Sequence, residues 1–368
     1  PNDPVDNCWL TALAVAPDDA RVVYAGVSGY AIGGVRKSWD GGVSWSDAST
    51  GLPTMPRGTM TGVFALAIDP LDPQVAYAGT EAGFVYKSTD GGGRWSAANS
   101  GLATYANIDA LALDPFAPQT IYAGAGCDGI FRSTNGGSTW SATSADLGET
   151  CVNALSVASA DPRVVYAGTW GPARPGPQGG VFRSTDGGAS WSQADAGLPG
   201  YPELPNGRHV CALAVAPDDP RVVYAGMLGG EAVYRSTDGG SSWTAACDGI
   251  ASIGAGALVI DPNDPAVLYA GTHGGGIYKC TDGGNTWAPA NAGLIETDVV
   301  ALAVDSADPQ VAYAGTNGDG VHRTTDGGRT WTPVCTGLTD GWVNGLAIDP
   351  TDPKVLYAGT GNSGGYDA

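Results

Sequence analysis

Ser236-Thr237-Asp238-Gly239-Gly240-Ser241-Ser242-Trp243 is one copy of an eight-residue pattern that occurs seven times, the others lying at 38–45, 88–95, 133–140, 184–191, 280–287 and 324–331. Its acidic position is held by Asp40, Asp90, Asn135, Asp186, Asp238, Asp282 and Asp326. Its closing position is held by Trp45, Trp95, Trp140, Trp191, Trp243, Trp287 and Trp331. Successive copies are 44 to 52 residues apart. A period of that size marks supersecondary units that must stack to bury their apolar faces. Within each copy the carboxylate accepts backbone N–H groups of a tight turn, and the Gly-Gly pair supplies the left-handed backbone such a turn needs. The leading hydroxyl ties off the incoming strand, and the Trp is a large apolar anchor for the outgoing one. Asn135 and Cys280 show that single members vary. Seven copies of one turn read as staples of an architecture, not as seven calcium or ligand sites, because function resides in what departs from a repeat.

The pattern Ser/Thr-x-Asp-x-Gly-x-x-Trp resembles the Asp box of the bacterial neuraminidase repeat. That repeat is found in sialidases, tandem-propeller xyloglucan-cleaving hydrolases, sortilin-type receptors and photosystem II assembly-factor-like proteins. The resemblance covers nearly the whole chain and implies an all-β fold, a β-propeller with four-stranded blades. It leaves activity open, since these relatives include enzymes, receptors and assembly factors.

Each period reads as four short strands. The first is apolar and alternating, as in Ala12-Leu13-Ala14-Val15 or Ala65-Leu66-Ala67-Ile68, with Ala on one face and larger aliphatics on the other. Small side chains suit the crowded inner end of a blade. A turn such as Asp69-Pro70-Leu71-Asp72-Pro73 follows, with Pro presetting the bend. The second strand carries Val-Tyr-Ala-Gly, the third runs into the repeated turn, and the fourth starts at the Trp. The expected blades are 8–52, 62–102, 108–146, 151–198, 209–250, 255–294 and 298–338 within a single domain. Because strands alternate direction, the first-to-second turns share one rim with the repeated turns. The second-to-third loops and the blade connections share the other, which carries nearly all the irregularity and is where a binding site belongs.

A surplus pair of strands follows the seventh blade at 342–360, with Trp342 at the repeat position of Trp9. Three readings stay open: a sequence cut from a longer array, an eight-bladed ring with its last blade half built, or an unpaired edge that a neighbouring chain completes. The chain begins at Pro1, which fits a processed protein, a fragment or a trimmed sequence.

Two insertions break the repeat on the irregular rim. The expanded loop 169–178 carries Trp170 and Arg174, and the long connection 197–209 carries Tyr201, Glu203, Arg208 and His209. Together they offer a stacking and hydrogen-bonding surface for a sugar or a peptide, or a cover for the rim. A third insertion at 51–61 carries Arg57. Shorter loops hold single acids, Glu81, Asp128, Glu231 and Asp319, and nothing pairs two of them as glycoside hydrolysis requires. The resemblance also counts against catalysis. Xyloglucan-cleaving relatives carry a catalytic Asp just before an Ile-Gly-Gly, where this chain reads Ala31-Ile32-Gly33-Gly34. Arg132, Arg183, Arg235 and Arg323 recur at one repeat position and read as structural, not as a sialidase arginine triad.

Cys127 and Cys151 fall on the same rim of adjacent blades, a geometry that admits a disulfide. Cys247 and Cys335 sit two blades apart and do not pair with each other; seven cysteines leave at least one free, reduced or joined to another chain. His209, His273 and His322 are too dispersed to predict a metal site, and no cofactor is expected. The composition, with 58 Gly, 25 Pro and 15% charged residues, suits an all-β chain rich in turns. A net charge of −20 repels nucleic acid and anionic membranes, and no apolar run reaches membrane-spanning length, so neither nucleic acid nor membrane insertion is expected. These readings converge on an extracellular or cell-surface, non-catalytic scaffold or binding module. Its expected partner is a protein, a glycan, or copies of itself joined through the unfinished blade. The alternative is a glycan-binding protein or glycoside hydrolase using rim carboxylates.

Overall fold

The computed structural model describes residues 8–361 apart from 20, 30–32, 55–59, 103–105, 144–146, 148–149, 172–178, 200–208, 230, 252–253, 336–337, 339–340, 350–351 and 353–354. It is an all-β propeller. Among the described residues seven antiparallel sheets of four strands each run in sequence order, followed by an eighth sheet of the two strands Val343–Ile348 and Leu356–Thr360. In blade four, for example, the strands are Cys151–Val157, Val165–Trp170, Val181–Ser184 and Ser192–Gln193. No helix among the described residues is long and apolar enough to cross a membrane.

The first strands form the inner wall, each packed on the next. The half-blade strand Val343–Ile348 packs between Val299–Val304 of blade seven and Cys8–Val15 of blade one, so the ring closes through eight positions. Every first strand carries a β-bulge, at Thr11, Phe64, Asp109, Asn153, Cys211, Gly256, Val300 and Asn344. The extra residue bends the strand and sharpens its twist, as a tightly curved inner wall needs. Some bulged side chains bond to the next blade. Thr11 Oγ1 donates to the Val63 carbonyl, and Asn153 Nδ2 donates to the Val210 carbonyl at 3.5 Å. Asn344 Nδ2 donates to the Leu10 carbonyl at 3.2 Å, so the closing seam repeats the bond found between ordinary blades.

Two further contacts make each blade depend on its neighbour. The second-strand glycine leaves room for the next blade's first strand: a Cβ on Gly168 would lie 2.8 Å from Val210, and one on Gly315 only 2.5 Å from Val343 of the half-blade. The second-strand tyrosine reaches the next blade's repeated turn, Tyr122 Oη donating to the Gly187 carbonyl at 2.8 Å and Tyr224 Oη to that of Gly283 at 2.9 Å. Tyr357 of the half-blade lies against Gly42 of blade one as Tyr77 lies against Gly137, a Cβ on either glycine falling 3.4 Å from the ring.

The repeated turn has closely similar internal wiring in each blade, although in blade two Arg94 gives Asp90 its N–H and no hydroxyl. Ser236 Oγ donates to Asp238 Oδ1 at 2.8 Å and accepts the Gly240 N–H at 2.7 Å. The Asp238 carboxylate accepts the Ser242 N–H at 2.8 Å and its hydroxyl at 2.6 Å. Gly239 and Gly240 sit at φ 74° and 85°, where a side chain would be strained. Asn135 keeps the acceptor role through Oδ1, taking the Thr139 N–H at 2.9 Å, and donates to the Thr139 hydroxyl through Nδ2. In blade six the Cys280 thiol replaces the leading hydroxyl. The hydrogen bonds from Ser242 hold the Asp238 carboxyl down to about 2.

Two sequence expectations need correction. The fourth strand is only two residues long in most blades and begins after the Trp, because the Trp backbone pairs with the preceding blade: Trp243 N donates to the Ala196 carbonyl at 2.8 Å. Nor are all seven tryptophans buried anchors. Six are 1–5% exposed, and five of these donate their indole N–H to a backbone carbonyl of the preceding blade at 2.7–2.8 Å, as Trp95 does to Ala48 and Trp243 to Ala194. Trp191 donates instead to the Thr143 hydroxyl at 3.2 Å. Trp45 is 36% exposed, and among the described residues no fourth strand of the preceding sheet covers it.

Replacing Trp243 with Ala should therefore cost about 3–5 kcal/mol in denaturant unfolding, and Trp45→Ala well under half of that. A carboxylate held below its ordinary value contributes stability above that value and loses it as pH falls toward the folded one. Asp238→Asn should thus be mild at neutral pH, as natural Asn135 suggests, and should flatten the loss of thermal stability between about pH 4 and pH 2.

Candidate functional site

The candidate site is a collar on the irregular rim, where the blades' first strands begin and their second strands end. In each of several blades the residue after the second strand donates its N–H to the residue opening the same blade: Leu228 to His209, His273 to Gly254, Asn317 to Asp298 and Gly361 to Trp342, at 3.0–3.1 Å. Isolated bridges then tie that residue to the opening of the following blade, pairing Trp170 with His209, Leu228 with Gly254 and Asn317 with Trp342. Backbone pairing thus links blades four to six and blades seven to eight on this rim, and the His273–Asp298 side-chain contact joins the two runs into one arc.

Of the sequence-predicted site residues, Trp170 and His209 are brought together, their ring centroids 5.9 Å apart and tilted by 43°. Arg174, Tyr201, Glu203 and Arg208 lie outside the described residues, as do Arg57 and Ala31. His209 is held below its ordinary value, first by burial and second by His273 nearby, so it is a neutral imidazole at neutral pH. Beyond it the arc continues with residues the sequence reading did not select. His273 Nδ1 lies 3.0 Å from Asp298 Oδ1, and Asn317 Nδ2 donates to Asp298 Oδ2 at 2.7 Å. Trp342 closes the arc, 39% exposed against 38% for Trp170. His273, Asp298 and Asn317 stand in short, regular loops. Their signal is visible only when the residue after each second strand is compared across blades.

The arc offers groups of the kind that hold a ligand. Both Asp298 oxygens are engaged by neighbours, His273 and Asn317. Two exposed indoles flank a polar string, the mixture of stacking surface and directed hydrogen bonds found in ligand sites. Among the described residues no group of His, Cys, Asp and Glu could hold a metal ion.

Cys127 and Cys151 form a disulfide that ties the second-to-third loop of blade three to the first strand of blade four, beside the start of the arc. Cys211, Cys247, Cys280 and Cys335 are free, and burial pushes the Cys211 and Cys247 thiols up to about 11, which keeps them unreactive. Asp109, the bulged residue of blade three, is reachable by solvent yet crowded by protein, and burial pushes its carboxyl up to about 6.

On the opposite rim a cleft of about 350 Å³ between blades three and four is lined by Phe116, Arg132, Asp161, Arg163 and Asp186. Its Arg163–Asp161 pair recurs as Arg221–Asp219 and Arg21–Asp19, so that cleft is built from repeat positions. His322 is fully buried at a third-strand position that holds Tyr or Phe in five blades and Arg36 in blade one, burial lowers its pKa, and it stands apart from the arc.

No protein-family model matches the chain. A xyloglucanase from Paenibacillus sp is 31% identical over 101 residues, which are 27% of this chain and 10% of that protein. Among solved structures, a GH74 enzyme from Niastella koreensis superposes with TM-score 0.55 at 21% identity, over 93% of this chain and 61% of its own. YCF48 bound to D1 peptide gives TM-score 0.56 at 13% identity, over 84% of this chain and 91% of its own. Sqt1 from Chaetomium thermophilum, bound to the N-terminus of the ribosomal protein L10, gives TM-score 0.66 at 16% identity, over 96% and 94%. The chain spans about three-fifths of the GH74 enzyme's length, and these identities show a shared β-propeller fold.

The disulfide closes a 24-residue separation, and its removal by Cys127→Ala with Cys151→Ala should lower unfolding free energy by about 3 kcal/mol. Reduction of the native protein should shift denaturant midpoints in the same direction.

Proposed function

We propose that this chain is an Asp-box β-propeller that works outside the cell as a non-catalytic binding module, with a neutral polysaccharide held along the collar. The observation that carries this reading is the arc itself, with Trp170 and Trp342 exposed at its two ends and the bonded string His273–Asp298–Asn317 between them. Sugar rings stack on indole faces while their hydroxyls take up the directed polar groups between. A net charge of −20 disfavours an acidic polymer as ligand. The Cys127–Cys151 disulfide suits an oxidising compartment. Similarity of part of the chain to a protein named as a xyloglucanase favours glycan over other small ligands.

A protein-binding or scaffold role is the second reading. It is favoured by two solved propellers, YCF48 bound to D1 peptide and Sqt1 bound to the N-terminus of the ribosomal protein L10.

Calorimetry against xyloglucan and other soluble neutral glucans tests the first reading. Saturable binding is expected, weakened about tenfold by Trp342→Ala and by Trp170→Ala, each losing roughly 1.4 kcal/mol, without release of reducing ends. Binding that ignores both substitutions would remove the collar from the account. Release of reducing ends would replace a binding module with a hydrolase.

A further inference from the structure

On the rim of the repeated turns, three positions face solvent in each complete blade: the second and sixth residues of the repeated turn and the third residue of the first-to-second turn. In most blades they are small or polar. The second position is Thr in six copies, as in Thr89 and Thr237, and Trp39 in the first. The sixth is Gly93, Ser138, Ala189, Ser241, Asn285 or Arg329 elsewhere, and Val43 in the first. The first-to-second turn holds Asp18, Ala160, Asp218, Asn263 or Ala307 at its third residue, but Leu71 in blade two and Phe116 in blade three. Trp39, Val43, Leu71 and Phe116 are 60–79% exposed. Single exposed apolar residues are ordinary, but here they are confined to blades one, two and three. Because the same positions are exposed in the other complete blades, this sector owes nothing to how the ring closes.

Bonds across the blade boundaries hold the sector together. Lys37 Nζ lies 3.3 Å from the centroid of the Trp39 ring and donates to the Gly91 carbonyl of blade two, so the indole is clamped over that seam. Gly91 N donates in turn to the Gln74 carbonyl at 2.9 Å, in the turn that carries Leu71. The next seam repeats the path. Lys87 Nζ donates to the Gly136 carbonyl at 3.0 Å, and Gly136 N donates to the Gln119 carbonyl at 2.9 Å, in the turn that carries Phe116. Acids surround these apolar residues: Asp18, Asp40, Asp72, Asp90 and Asp114 stand on the same rim of the same three blades. Of the bases nearby, Lys37 and Lys87 are committed to backbone carbonyls, and Arg21 and Arg36 are paired with Asp19 and Asp47.

The sector ends at the cleft of about 350 Å³ between blades three and four. Two repeat positions depart there. Phe116 forms one wall, and Ala117 stands where each of the other seven first-to-second turns has Asp, so a shorter side chain borders the opening. Asp114, Asp161 and Asp186 line the cleft with Arg132 and Arg163, and Arg163 is paired with Asp161 at 2.7 Å. Asp114 Oδ1 accepts the Phe116 and Ala117 N–H groups at 2.9 and 3.0 Å, which turns the carboxylate toward this loop and leaves its other oxygen for a donor. An aromatic wall beside a carboxylate matches the stem and head of a Lys or Arg side chain.

We propose that this sector is a docking surface for a basic amphipathic segment of a partner protein. The segment's apolar residues rest on Trp39, Leu71 and Phe116, and its Lys or Arg residues lie among the acids, one of them in the cleft. Charge complementarity selects this occupant. An acidic or uncharged partner would bury these carboxylates without a counter-charge, and an anionic membrane or a nucleic acid is repelled by them. The apolar anchors supply affinity, and the acids speed and orient the encounter. This inference rests on neither reading of the collar, which lies on the other rim.

The probe is a short fluorescein-labelled peptide of alternating Leu and Lys, with Ser–Lys and Leu–Glu alternations as controls. Anisotropy should show saturable one-to-one binding of the Leu–Lys peptide, about tenfold or more tighter than either control. Trp39→Thr, Leu71→Asp and Phe116→Asn install residues that other blades already carry at these positions. The triple variant should therefore melt like the parent and bind about tenfold or more weakly. Independently of any variant, the same peptide made with photo-leucine should crosslink to residues 39–43, 71 and 116 of the unaltered protein. Absence of saturable binding, affinity indifferent to the triple substitution, equal binding of the Ser–Lys peptide, or crosslinks confined to other residues overturns the proposal. A neutral glucan whose binding the triple substitution abolishes would put a sugar on this rim and overturn it as well.

Discussion

Six of the seven four-stranded blades of this propeller hand an indole N–H to their predecessor, and most of the outer structure depends on that transfer. The bond from Trp95 to the Ala48 carbonyl crosses a blade boundary, as do its counterparts from Trp140, Trp243, Trp287 and Trp331. A lone four-stranded sheet buries too little to persist, so its stability is shared with its neighbours. The tryptophan serves three needs at once: it fills the wedge between blades, satisfies a buried carbonyl, and fixes the rotation of one sheet against the next. Inside the ring a different device does the same work. There the second-strand glycines let β-branched residues of the next first strand pack against bare backbone, as Val343 does at Gly315.

A chain of such transfers has a beginning and an end unless the ring is complete. Here the inner devices close the ring, since Asn344 bonds to Leu10 and Tyr357 lies against Gly42. Among the described residues the outer device is not made at this boundary, and Trp45 and Val334 are exposed there.

The architecture was largely legible because the signal is periodic and local: Asp, Gly-Gly and Trp at fixed offsets encode a turn whose hydrogen bonds lie within eight residues. The bulges were not legible. Their positions hold Thr11, Phe64, Asp109, Asn153, Cys211, Gly256, Val300 and Asn344, residues with nothing in common, because the bulge answers to the curvature of the inner wall and not to a side chain. Half of the collar could be read from insertions, which drew attention to Trp170 and His209. His273, Asp298 and Asn317 sit in loops of ordinary length on blades six and seven, and only ring closure reveals that they continue the same arc. The exposure of Trp45 was equally hidden, since its sequence context matches that of six buried tryptophans and the sheet that neighbours it, at 343–360, is remote in sequence.

The account turns on the half-blade being the eighth member of the ring, seated against blade one. A Cβ placed on Gly359 would lie 3.3 Å from the Cβ of Leu10, close to the spacing a disulfide needs. The most direct measurement is therefore the double variant Leu10→Cys with Gly359→Cys, oxidised mildly and mapped by peptide mass spectrometry. A crosslink between these two cysteines within one native monomer is the predicted result. Failure to form it, or a crosslink found only between chains, would contradict the closed ring and with it the continuous collar.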